Sequence, residues 1–88
     1  MDVEQFEQQL RAEGYEAFTT VTRGPHGFLD VHTHPFEARA LILEGEISIR
    51  CQQQETVYRP GEVFHLARAQ AHAERYGPAG VRYRVGRR

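Results

Sequence analysis

The chain has no lysine, no tryptophan and a single cysteine, and these shortages, with the absence of long apolar runs, remove several classes of protein. One cysteine, Cys51, leaves no internal disulfide, so the framework that holds many small secreted domains together is excluded and a reducing, cytoplasmic setting is expected. No apolar stretch approaches the roughly 20 residues of a membrane-spanning helix. The first residues, MDVEQFEQQL, are acidic and amphipathic rather than basic and then apolar, so neither membrane insertion nor export is expected. Neither charge sign dominates: eleven basic residues, all arginine, against twelve acidic ones give a formal charge of −1 and a pI near 6.5. That balance argues against nucleic acid as a partner. At 88 residues the chain holds one core, not two, and buries only about 60–65 % of its unfolded surface. Barrel closure, a metal or a second subunit would therefore have to supplement it. What the sequence has in excess is histidine, five in all.

Asp2 and Gln5 form a capping-box pair, Val3, Phe6 and Leu10 recur at i, i+3 and i+7, and Gly14 closes the pattern. One short N-terminal helix is expected. From about Ala17 the rhythm changes to two-residue alternation, clearest in Ile47, Ile49 and Cys51 and in Val81, Tyr83 and Val85. Strands are expected over 17–22, 28–34, 38–44, 46–51, 55–58, 62–66, 71–76 and 81–85. The breaks between them fall at Arg23-Gly24-Pro25, Pro35, Gly45, Gln52 to Gln54, Pro60-Gly61 and Gly77-Pro78. Short, regularly spaced strands of this kind suit an antiparallel sandwich or barrel, whose closure protects strand edges.

His32 and His34 lie two apart in the strand-like run Phe28 to His34. Their side chains would leave one face about 6.6–6.8 Å apart, a spacing that lets two imidazoles converge on an ion. Such pairs are also found solvated or hydrogen-bonded in purely structural roles, and the pair alone does not decide between the two. His65, out of phase with Phe64 and Leu66, is expected on the opposite face from them, and His26 in a solvated turn. Cys51 reads as a small buried hydrophobe, and Arg82, Arg84, Arg87 and Arg88 as a solvated strand face with a frayed end. Ala38, Ala40 and Ile42 share one face of their strand. If that face looks inward, its small side chains either leave a pocket beside the histidines or merely satisfy packing in a narrow barrel.

Over residues 24–76 the chain resembles the cupin superfamily, specifically its small single-domain bacterial members of the RmlC-like type. The first motif of that family reads G(X)5HXH(X)3,4E(X)6G and the second G(X)5PXG(X)2H(X)3N. His32 and His34 fall on the HXH pair, Gly45 on the glycine that closes the first motif, Gly61 on the glycine that opens the second, and His72 on its histidine. The resemblance implies an all-β fold, a cupin-type double-stranded β-helix (jelly-roll barrel), over residues 15–88, with the short α-helix at residues 1–14 in front of it. It also implies a divalent transition metal (Zn, Ni, Fe or Mn) on His32, His34 and His72, a small organic ligand at the open coordination positions, and a homodimer. The sequence departs from the family where the ligand glutamate should stand, at Ala38. Glu37, one residue away, would reach the site only through a bulge after Pro35, because a one-residue shift turns a strand side chain to the other face. Ala67, Ala69 and Tyr76 replace the Pro, Gly and Asn of the second motif. Three functions fit: a metal-binding cupin, a non-catalytic binding, sensor or interaction module, and a metal-dependent dioxygenase or isomerase. No general base outside the histidine set is legible, so no reaction can be named.

Overall fold

A computed structural model describes residues 1–88. The elements in chain order are α1 (Val3–Ala12), β1 (Glu16–Arg23), β2 (Phe28–His32), β3 (Ala38–Cys51), β4 (Gln54–Tyr58), β5 (Val63–Leu66) and β6 (His72–Arg87). The capping box on α1 forms as expected: the Asp2 carboxylate accepts from the Gln5 amide N–H at 2.8 Å, and the Gln5 side chain accepts from the Asp2 amide at 3.2 Å. Gly14 follows with φ +90, a left-handed conformation suited to glycine just beyond a helix end.

The expected breaks at Gly45 and Gly77-Pro78 do not end strands. Residues 38–51 form one strand of 14 residues and residues 72–87 another of 16, so the sheet has six strands where eight were expected. β3 and β6 pair antiparallel along most of their length and organise everything else. The first half of β3 also pairs with β5 and its second half with β4; the first half of β6 pairs with β2 and its second half with β1. Each long strand thus belongs to two half-sheets, and the bend between them creates the interior.

The bend explains why Gly45 resembles a turn in sequence. Its φ is +72, the β3–β6 register shifts on either side of it, and a Cβ there would lie 2.0 Å from the Gly80 carbonyl oxygen. Gly80, also at φ +72, is crossed in turn by the backbone of Arg23, whose carbonyl oxygen would lie 2.3 Å from an added Cβ. Backbone crosses backbone with no room for a side chain, and the bulge absorbs the curvature without breaking the strand.

Inside the bend lies one apolar cluster that includes Ala40, Ile42, Ile47, Ile49, Phe64, Leu66, Tyr83 and Val85, with Cys51 packed at its margin. The opposite face of β3 is covered as well. Leu41 packs with Phe6 and Leu10 of α1 and with Tyr15, and each of these four is nearly inaccessible to solvent. Arg84 reaches Glu7 at 2.7 Å and Arg39 reaches Glu13 at 3.0 Å, fastening the middle of the helix and its C-terminal end. Part of the arginine-rich strand face expected to be solvated therefore clamps the helix, which an amphipathic segment too short to be stable alone requires.

Candidate metal centre

β2 and β6 pair Phe28 with Arg75 and Leu29 with Glu74, and then His32 with His72. One extra residue on β2 lies between the last two pairs. This bulge has a direct consequence: regular pairing would set Val31 opposite His72 and turn His32 to the other face. With the bulge, the two imidazoles face each other with centroids 4.3 Å apart. His34 lies in the segment after β2, not within a continuous strand over 28–34, and its carbonyl accepts from the Ala69 amide at 2.9 Å. That contact ties it to the turn before β6. Its ring lies 4.9 Å from His32 and 5.3 Å from His72 and stacks on Phe36.

The structure thus brings His32, His34 and His72 together, and it adds a residue that the sequence reading did not single out. Glu74 follows His72 by two on β6, points to the same face and is 8 % exposed. The ligand-capable atoms of the three histidines and Glu74 all lie within 4.8 Å of one another. Alternation along His72-Ala73-Glu74-Arg75-Tyr76 was the signal that could have found it. The same two-residue rule that linked His32 to His34 links His72 to Glu74, but the family motif directs attention to positions 37 and 38.

The hydrogen bonds fix which imidazole nitrogens face the centre. His32 Nδ1 lies 2.7 Å from the Asp30 carbonyl oxygen and His72 Nδ1 lies 3.0 Å from the Gln70 carbonyl oxygen. A carbonyl only accepts, so both Nδ1 atoms carry protons and donate. Both Nε2 atoms are turned to Glu74 Oε2, His72 at 3.2 Å and His32 at 3.5 Å. In the neutral ring this sets nitrogen lone pairs against a carboxylate oxygen, an arrangement that a cation or a proton between them relieves. His32 Nε2 is buried without a hydrogen-bond partner. An Nδ1–H anchored on a backbone carbonyl with a bare Nε2 facing inward is how metal-binding histidines are commonly oriented. The other carboxylate oxygen, Oε1, accepts from the Tyr76 hydroxyl at 3.1 Å, and burial together with Glu74 raises the Tyr76 phenol to about 12. Burial, and then the neighbouring His32 and His72, push the His34 pKa down, favouring neutral imidazole. Three imidazoles and a carboxylate suit a borderline divalent transition metal.

Glu37 is not part of this cluster. Its carboxylate accepts from Arg88 Nε at 2.7 Å and pairs with His65, while its backbone exchanges two hydrogen bonds with Arg88. Those contacts, Arg88 foremost, hold it near a pKa of about 2. The chain uses it to anchor the end of β6. Ala38 is buried, as are Ala40 and Ile42, but only Ala38 of the three lines the cavity of about 100 Å³ that adjoins His34 and Glu74. Ala40 and Ile42 belong to the packed core. His65 stands opposite in phase to Phe64 and Leu66, and His26 occupies a turn with φ +58.

No family model matches the sequence, and no curated protein matches it. Solved structures do. The chain superposes on the cupin domain of Cnp3 from Schizosaccharomyces pombe with a TM-score of 0.74 at 18 % identity, over 85 % of this chain and 56 % of that one. An RmlC-like cupin from Shewanella frigidimarina gives 0.68 at 16 % identity, over 80 % of this chain and 63 % of the other. The DMSP lyase DddQ from Ruegeria pomeroyi gives 0.74 at 23 % identity, over 82 % of this chain but only 37 % of the enzyme. The chain spans less than two thirds of each of these proteins. The likeness is one of fold, and it is consistent: the chain has the all-β cupin fold with one short helix in front.

Proposed function

We propose that the chain is a small metal-binding cupin in which His32, His34, His72 and Glu74 hold one divalent transition metal beside a cavity for a small organic ligand. The observation that carries this reading is the pair of carbonyl-anchored histidines whose inward Nε2 atoms both face the same oxygen of a buried carboxylate. A bound divalent ion would supply Lewis acidity to a ligand oxygen. The chain's own residues do the rest. Asp30 and Gln70 carbonyls fix two ring orientations, Tyr76 fixes the carboxylate, and Phe36 braces His34. The cavity opens on His34 and Glu74 and is walled by Phe36, Ala38, Phe64 and Tyr83, which leaves space on one side of the cluster for a ligand and apolar surface around it. Cytoplasmic placement belongs to the same reading and is supported by the unpaired Cys51; no helix is long and apolar enough to cross a membrane.

Metal analysis of protein purified without a nickel column tests this. About one equivalent of a transition metal is expected, falling sharply in His32→Ala, His72→Ala and Glu74→Ala. Less than about 0.2 equivalents in the parent protein, unchanged in the variants, would refute it.

We also assign a second copy of the chain to the outer side of β2. Phe28 and Val31 are 68 % and 67 % exposed there, on a short strand whose only partner is β6, so its other edge is open to pairing. Light scattering should give twice the chain mass, and a monomer that persists at high concentration refutes the assignment.

A further inference from the structure

The cavity beside the histidine cluster carries charge of a sign the metal centre does not need. Arg23 and Arg87 both line it, and neither is ion-paired with a carboxylate, although five other arginines of the chain are. Arg87 is the more informative. Its Nε is buried and has no hydrogen-bond partner. Its guanidinium lies over the Phe36 ring at 4.9 Å, and Phe36 in turn stacks on His34 with centroids 4.9 Å apart. An aromatic wall thus holds the cation in place beside the cluster while part of its donor fork is left unused. A buried guanidinium N–H without an acceptor is costly, and a carboxylate is the group that matches the planar fork. The one acidic side chain in the cavity wall is Glu74, whose oxygens are already directed to His32, His72 and Tyr76.

We propose that this cavity binds a small carboxylate anion, its carboxyl group on Arg87 with Arg23 beside it and its carbon skeleton against the apolar wall. The volume of about 100 Å³ limits the size. At the roughly 30 Å³ that a water takes in the liquid, this is the space of about three waters, which selects the smallest carboxylic acids, those of about two carbons. The inference rests on the metal reading only in that a bound cation would add to the positive potential; both arginines stand there without it.

Glycolate and its neutral isostere glycolamide are the probes, titrated calorimetrically at fixed ionic strength into zinc-loaded protein whose metal content has been measured. Glycolate should bind at least about tenfold tighter than glycolamide, and Arg87→Gln should remove at least about tenfold of that affinity with the zinc stoichiometry unchanged. Equal binding of the two probes, or full affinity in Arg87→Gln, overturns the proposal. If zinc does not load, the metal reading has failed by itself. The same titration on metal-free protein then decides the anion site: an Arg87-dependent preference for glycolate upholds it and no preference overturns it. Should Arg87→Gln fail to fold by circular dichroism, Arg23→Gln is held to the same expectation and the same refutation.

Discussion

Replacing Glu74 by Gln separates a metal centre from a structural ion pair by the sign of its effect. Glutamine has the shape of glutamate, so its carbonyl oxygen can still accept from Tyr76 while its amide replaces the oxygen that lies 3.2 Å from His72 Nε2. On the metal-centre reading the rings are neutral, so in metal-free protein an acceptor facing an acceptor becomes a donor facing an acceptor, a net gain of about 0.5–1.5 kcal/mol. For a domain of this size each kcal/mol moves the melting temperature by roughly 4–8 °C. Metal-free Glu74→Gln should therefore melt a few degrees higher than the parent. With saturating zinc the order reverses. Loss of the only anionic ligand should weaken binding at least about 100-fold, or ~2.7 kcal/mol, which outweighs the gain in the free protein. The variant should then melt about 5–18 °C below the parent. Differential scanning calorimetry with EDTA and with zinc gives all four values. If Glu74→Gln lowers the melting temperature in EDTA and zinc shifts neither protein, the pair is a structural imidazolium–carboxylate bridge and the metal reading is wrong.

Two further perturbations test the frame around the site. Gly45→Ala forces a Cβ to 2.0 Å from the Gly80 carbonyl at φ +72, so it should cost at least about 3 kcal/mol, read as a loss of about 12 °C or more on thermal melting; a near-neutral result would mean that the strand crossing is looser than described. Glu37 should titrate near 2 by carboxyl carbon NMR and return toward the ordinary carboxylate range in Arg88→Ala. Because its folded pKa is depressed, its contribution to stability is present above about 4.5 and is lost as the pH falls toward about 2. An unchanged midpoint in Arg88→Ala would exclude Arg88 as the main cause.

The helix, its cap and the strand locations were legible because each depends on neighbours in the chain. Asp2 caps Gln5 three residues away, and the alternation from Ile47 to Ile49 survives whatever lies across the sheet. Strand continuity was not legible. Gly45 has the local signature of a turn, and only the crossing of Gly80 over it shows that the strand bends and continues. The joint position of three histidines was approached through a family register, while the means of bringing them together lies outside any such register. A bulge between Leu29 and His32 is a property of the β2–β6 pairing and leaves no mark in the run Phe28 to His34 alone. Glu37 and Arg88 likewise lie 51 residues apart in sequence, and their pairing follows from the backbone exchange between the ends of β3 and β6.

Ala38 and Glu74 together change the meaning of the missing glutamate. A donor set is defined by where its atoms converge, and β6 presents inward positions at 72, 74 and 76 as freely as the start of β3 presents 38. A carboxylate on β6 sets its negative charge near the histidines, and Tyr76, two residues on along the same face, orients it directly. It also leaves a methyl group at 38 where a longer side chain would project, and Ala38 lines the cavity that reaches His34 and Glu74. If Glu74 serves the metal proposed above, the alanine at 38 is half of an exchange rather than a deletion. The test is reciprocal. Restoring a carboxylate with Ala38→Glu in a Glu74→Gln background should recover part of the zinc affinity while filling the cavity, and so should abolish glycolate binding. Recovery of zinc affinity with glycolate binding intact would show that the two positions do not share the space assigned to them here.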